Sequence, residues 1–202
     1  MDIAVIENYK IFSKRMDHFK EFGLDQIKER EFILEQVIPV QGEILEIGTG
    51  KGNFSVGLAS RGYEFVSIDT DPIGQKIAKL NLAYYGLQDC VDFQIQNAEK
   101  LSFENNSFDI IVCVNAYHHF KNPIFILTEI LRVISDNGKI VLSDFNAQGL
   151  GILEKVHALE GGKHECFNQS LDSAQEFFLA KGLEVKKISS LNQQVLVISR
   201  SV

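Results

Sequence analysis

Residues 44–54, Ile-Leu-Glu-Ile-Gly-Thr-Gly-Lys-Gly-Asn-Phe, constrain the fold more than any other stretch of the chain. An apolar run with β propensity enters three alternating glycines and leaves into an apolar-periodic segment, the order strand, tight loop, helix. Glycine opens backbone conformations closed to other residues and lets a ligand approach with no Cβ in the way. The helix start that follows offers free N–H groups. The unit therefore predicts a cofactor cradle. Glu46, just before the loop, narrows the ligand: a carboxylate there repels a pyrophosphate but receives an ammonium group, directly or through a water.

The rest of the chain alternates in the same way. Residues 54–60 continue as a helix up to Arg61-Gly62, and a second strand over 64–68 ends at Asp69. Asp69 lies about twenty positions after the first glycine, where an acidic side chain can bind a ribose diol. Asp71 precedes Pro72 and reads as the N-cap of a helix running to Tyr84 or Tyr85 and stopping at Gly86. Residues 91–96 alternate as a strand suited to a sheet edge, whereas residues 108–114 are apolar nearly throughout, as in a central strand buried on both faces. A helix over 123–134, a turn at Asp136-Asn137-Gly138 and a strand over 139–145 follow. Helices are expected over 149–160 and over 171–181, the latter starting near Asp172 or Ser173. Residues 183–189 and 194–199 form an antiparallel pair. The first forty residues read as two helices with Tyr9, Phe12, Met16, Phe19 and Phe22 at helical intervals. They form either a layer on one sheet face or a lid over the cofactor, and Lys14, Arg15, Asp17 and His18 are expected on a solvated outer face.

Glu46-Ile47-Gly48-Thr49-Gly50-Lys51-Gly52 resembles the first motif of the class I S-adenosylmethionine-dependent methyltransferases, an acidic residue, any residue, then Gly-x-Gly-x-Gly. The competing dinucleotide fingerprint places its last glycine or alanine on Asn53 and fits less well. Tyr117-His118-His119-Phe120 is similar to the Leu-His-His-Phe of small-molecule methyltransferases, including ubiquinone and menaquinone biosynthesis types. The resemblance runs from about Gly42 onward. It implies an α/β, Rossmann-like, doubly wound mixed sheet of seven strands with the last antiparallel, and S-adenosylmethionine as cofactor. It also implies that Gly48, Thr49 and Gly50 line the methionine portion, that Asp69 binds the ribose, that Thr70, Asn97, Ala98 and Glu99 surround the adenine, and that Asn115 lies near the methionine amino group. Where relatives often carry Asp, Asn97 can still accept a hydrogen bond from the adenine amino group.

A length of 202 residues suits one domain. It divides into a helical cap over 1–40, a cofactor-binding core over 41–146, and lid helices with the terminal strand pair over 147–202. No apolar run reaches membrane-spanning length and the N-terminus lacks a secretory pattern, so a cytoplasmic protein is expected. A net charge of -7 disfavours a nucleic-acid surface. The partner should be a small-molecule substrate; a homodimer is compatible with these residues and not required by them. Cys90, Cys113 and Cys166 show no paired spacing, so reduced thiols are expected, Cys113 as a small core residue.

Methyl transfer from a sulfonium needs alignment and exclusion of water rather than a protein nucleophile. An acceptor that must lose a proton could use His118 or His119, which follow the fourth strand. His157, His164 and Cys166 match no structural zinc pattern, and no metal is expected. Phe167, Phe177 and Phe178 read as core or pocket wall. Two other readings stay open: a non-catalytic cofactor-binding regulator and a nicotinamide-dependent oxidoreductase.

Overall fold

The computed structural model describes residues 1–162, 166–167 and 169–200. Two helices open the chain, α1 (Ile3–Glu21) and α2 (Gln26–Val37), capped by Asp2 and Asp25, whose carboxylates accept N–H groups of the first turns. The sheet then builds from β1 (Ile44–Ile47), β2 (Phe65–Asp69), β3 (Val91–Ile95), β4 (Phe108–Val114), β5 (Ile134–Phe145), β6 (Leu183–Ser189) and β7 (Gln193–Arg200). Between them lie α3 (Asn53–Ala59), α4 (Pro72–Tyr84), α5 (Pro123–Val133), α6 (Ala147–Leu159) and α7 (Leu171–Ala180).

All seven strands form one sheet in the order β3-β2-β1-β4-β5-β7-β6, with β7 antiparallel to both neighbours, as the sequence implied. Alternation along β4 shows why it lies at the centre. Ile111 and Cys113 pack with α5 and α7 on one face, and Ile110 and Val112 pack with α2 and α3 on the other. Cys113 is fully buried, and loss of hydration pushes its thiol well above the ordinary range, consistent with a core residue.

Asp71 caps α4 through Ile73 N, as expected. Two expectations are corrected. Asp136-Asn137-Gly138 is not a turn between elements but an excursion within β5: Phe108 pairs with Ile134 and Ile110 with Lys139, so extra residues bulge out. Asp109 stabilises that detour by accepting from Ser135 Oγ at 2.9 Å and Glu43 N at 3.0 Å. As expected, α7 starts at Leu171, and Ser170 caps it, its Oγ accepting the Asp172 N–H. Phe178 is core and Phe177 packs against it, but Phe167 is exposed.

A third, smaller cluster joins Phe19 and Leu24 with Ile152, Leu153 and Val156 of α6. It sits apart from the two sheet-face cores and holds the N-terminal helices beside the carboxyl ends of the strands.

Candidate functional site

Strand order reverses between β1 and β4, and ligands of open α/β sheets bind in the crevice outside the carboxyl ends at such a point. A cavity of about 570 Å³ lies there. The glycine loop forms its floor. Gly48 has φ +89°, and a Cβ on it would stand 2.6 Å from Ala116 Cβ, so the close approach of the β1 and β4 loops requires glycine. The Gly48 and Thr49 N–H groups both donate to Ile68 O, tying the loop to β2.

Glu46, the penultimate residue of β1, has almost no solvent exposure but lines the cavity. A chain of donors leads to it: Gln75 Nε2 donates to Thr49 Oγ1 at 3.4 Å, Thr49 Oγ1 lies 2.6 Å from Ser67 Oγ, and Ser67 Oγ donates to Glu46 Oε2 at 2.6 Å. Ser55 Oγ donates to the same oxygen at 2.6 Å. Burial nevertheless dominates and raises the Glu46 carboxyl to about 7, against the lowering effect of the two serines. The Thr49 hydroxyl is thus committed to holding Ser67.

Across the cavity Asn115 follows β4 with φ +53°, a conformation that Asn tolerates better than most residues. Its N–H donates to Ser143 O, and its side-chain Oδ1 is buried with no hydrogen-bond partner. An orphaned acceptor and a buried carboxylate on one cavity suit a ligand that brings N–H donors and positive charge. Asp69 lies just outside, at the end of β2. Its Oδ2 accepts Gly50 N at 2.7 Å and its Oδ1 accepts Asp71 N at 2.9 Å. Each oxygen keeps a second acceptor site, so the carboxylate can still take a diol.

The structure therefore separates the sequence-derived residues into two neighbouring groups. Glu46, Gly48, Thr49, Gly50, Asn115, His118 and His119 line the cavity. Asp69, Thr70, Asn97, Ala98 and Glu99 follow β2 and β3 on the adjoining rim. There Thr70 and Asn97 are exposed, Asn97 Oδ1 accepts Glu99 N, and Glu99 Oε1 accepts Asn122 Nδ2. Ala98 packs its side chain into the core and offers only backbone to a ligand.

His118 and His119 differ sharply. His118 is buried, and both its backbone N–H and its Nδ1 engage Asp144, at 2.8 Å to Oδ2 and 2.6 Å to Oδ1. A carboxylate so close to Nδ1 keeps a proton there and makes Nε2 the basic nitrogen. His119 is exposed, its ring 4.1 Å from that of His118. Sequence reasoning missed Asp144. The available signal was an acid near the end of the buried strand β5, much as Glu46 lies near the end of β1 and Asp69 at the end of β2.

The N-terminal helices combine the two readings considered: α2 covers a sheet face through Ile33, Leu34 and Val37, and Arg15, Phe19, Gln26, Glu29 and Arg30 line the cavity. The expectation of a solvated Arg15 is corrected: it turns inward over the Phe19 ring, pairs with Glu160, and comes within 3.4 Å of His157. His157 also lines the cavity. His164 lies outside the described residues. Among the described residues no group of three or more His, Cys, Asp or Glu is placed to hold a metal, and no helix is long and apolar enough to cross a membrane.

Comparison with known proteins agrees with this geometry. The family described as "Methyltransferase domain" matches residues 45–142, from β1 through most of β5. A "Ubiquinone biosynthesis O-methyltransferase" of Xanthomonas axonopodis pv. citri is 30% identical over 117 residues, 57% of this chain and 48% of that protein. The "Uncharacterized methyltransferase YcgJ" of Bacillus subtilis is 29% identical over 153 residues, 74% of this chain and 60% of that one. The chain thus spans about half the length of the first of these curated relatives and rather more of the second. In fold it is similar to the PH0226 protein of Pyrococcus horikoshii, with a TM-score of 0.71 at 17% identity over 94% of this chain and 98% of that one. The YcgJ crystal structure superposes with a TM-score of 0.63 at 21% identity, over 85% and 97% of the two chains. Residues 45–142, just under half of the chain, thus match the methyltransferase domain family, and the match takes in Glu46, the glycine loop and Asp69.

Proposed function

We propose that the protein transfers a methyl group from S-adenosylmethionine to a small-molecule acceptor, releasing S-adenosylhomocysteine. One observation carries the reading: the buried Glu46 carboxylate and the unpartnered Asn115 Oδ1 line the same glycine-floored cavity, where together they suit an ammonium group. The cofactor supplies an electrophilic sulfonium methyl for in-line displacement.

The chain's own residues bind, orient and dry the site. Gly48, Thr49 and Gly50 hold the methionine portion through backbone, Asp69 takes the ribose hydroxyls, and Thr70, Asn97, Ala98 backbone and Glu99 enclose the adenine. The α1, α2 and α6 walls keep water from the reacting centre. His118, oriented by Asp144, accepts the proton that a hydroxyl acceptor must lose, and His119 contacts the acceptor at the cavity mouth. Similarity to a ubiquinone biosynthesis O-methyltransferase supports an oxygen acceptor. A cytoplasmic location, with neither nucleic acid nor membrane as partner, goes with this proposal, and a homodimer is compatible with it.

Calorimetric titration with S-adenosylmethionine, S-adenosylhomocysteine and NAD tests the cofactor. Micromolar affinity, about -8 kcal/mol, is expected for the two sulfur compounds only. NAD binding alone would overturn the proposal. Binding of both sulfur compounds without product from a pool of metabolites would reduce the protein to a regulator that holds the cofactor.

A further inference from the structure

A second cavity, of about 590 Å³, lies between α1, α4 and α6, and Arg15 and Lys51 line both it and the first. Ile11, Phe12, Ile77 and Leu159 give the second cavity an apolar wall, while Lys14 and His18 add basic groups. His18 Nδ1 is buried there without a hydrogen-bond partner.

Positive charge is gathered at this junction in a chain whose net charge is -7. Lys51 stands at the rim, in no ion pair or side-chain hydrogen bond among the described residues. Partial loss of hydration lowers the pKa of its ammonium, and Arg15 lowers it further. The His157 imidazole is lowered first by burial, then by Arg15, with Lys51 contributing. Glu160 and Asp71 offset the Lys51 effect in part, but Arg15 already engages the Glu160 carboxylate. Like charges that depress one another do not stabilise the fold; they suit an incoming anion.

Building on the methyl-transfer reading, we infer that the acceptor carries an oxyanion group, carboxylate or phosphate, bound by Arg15 and Lys51 where the two cavities meet. Its reacting hydroxyl then lies in the first cavity, which His118 also lines. Guanidinium and ammonium both form charge-assisted hydrogen bonds with such a group, and the neutral analogue forfeits them.

The test uses the intact chain saturated with S-adenosylhomocysteine, titrated with 3,4-dihydroxybenzoate, with catechol as the same ring lacking the charge, and with inorganic phosphate. The acid should bind at least about tenfold more tightly than catechol. Competition by phosphate at submillimolar concentration would favour a phosphate-bearing acceptor; discrimination by the acid without such competition would favour a carboxylate. Arg15→Gln and Lys51→Gln should each bring the acid-to-catechol ratio towards one while leaving S-adenosylhomocysteine affinity within about twofold. Glu160→Gln frees Arg15 and should strengthen acid binding, the opposite of what damage to the lid would do. Equal binding of acid and catechol with no phosphate binding overturns the inference. So does loss of S-adenosylhomocysteine affinity in both cation variants, which would give the cations to the cofactor's own carboxylate. Failure of the unaltered chain to bind S-adenosylhomocysteine would sink the methyl-transfer reading itself, an outcome distinct from failed discrimination with the cofactor product bound.

Discussion

Asp144 grips His118 twice, its Oδ2 accepting the backbone N–H at 2.8 Å and its Oδ1 standing 2.6 Å from Nδ1. The pair spans adjacent strand ends, since His118 follows β4 and Asp144 is the penultimate residue of β5. Backbone and ring are fixed by one carboxylate, so the imidazole has little freedom to turn away.

Replacing Asp144 by Asn should therefore cost turnover rather than cofactor binding. An amide can donate to Nδ1 and reverse the tautomer, removing the proton-accepting Nε2. General acid–base catalysis is typically worth ~10²–10⁴ in rate, so kcat should fall by about 10²-fold or more while S-adenosylhomocysteine affinity holds. His118→Ala should fall as far, and the double variant no further, because the two residues act as a unit. Normal turnover in Asp144→Asn would confine the pair to a structural role.

Glu46 should make cofactor affinity depend on pH. Burial raises its carboxyl from the usual 4.5 to about 7, so the folded chain without ligand holds a proton that the unfolded chain releases. The stability this contributes is fully present below pH 4.5 and is lost as pH rises through 7. A cationic ligand reverses the preference by favouring the carboxylate, and proton release should accompany binding below pH 7. Affinity for S-adenosylmethionine should weaken by up to about tenfold per pH unit beneath that point. Calorimetry at pH 6 in two buffers of different ionisation enthalpy measures the released proton directly, and Glu46→Gln should abolish it. Equal heats in both buffers would show that Glu46 keeps its proton when ligand binds.

Local signals carried most of what the sequence revealed. The glycine loop, the Asp71 cap before Pro72 and the apolar strand β4 are each specified by residues a few positions apart, so pattern and propensity reach them. Asp144 escaped because its meaning depends on a partner 26 positions away, brought close only by parallel pairing of β4 with β5. Arg15 was misread for a related reason. Amphipathic spacing tells which helix face is polar, not that α6 will approach with Glu160 and enclose that face. The Asp136-Asn137-Gly138 segment has genuine turn chemistry, yet Asp109 on the neighbouring strand absorbs it as a bulge.

Asp69 links the loop to the rim, and its removal should be felt by the cofactor. Asp69→Ala deletes the acceptor for Gly50 N and for the proposed ribose diol at once. Loss of hydrogen bonds to a charged group predicts a weakening of roughly 1.5–3 kcal/mol, or about 10–100-fold in Kd. Asp69→Asn keeps one oxygen acceptor and should lose less. Titration with S-adenosylhomocysteine reads both variants, and unchanged affinity in Asp69→Ala would remove the ribose role.

Gly48 tests whether the cavity floor depends on close backbone approach. Gly48→Ala meets two obstacles: φ of +89°, which L side chains rarely adopt, and Ala116 Cβ only 2.6 Å from the added methyl. Backbone strain of this kind typically costs ~1–3 kcal/mol, so the midpoint of chemical unfolding should drop measurably. Ligand affinity should fall with it as the β1 and β4 loops separate. Ala116→Gly removes the colliding atom but not the strained φ, so the double variant should recover part of the loss. If the double variant is as unstable as Gly48→Ala alone, the methyl collision contributes nothing and backbone conformation is the whole reason for glycine at this position.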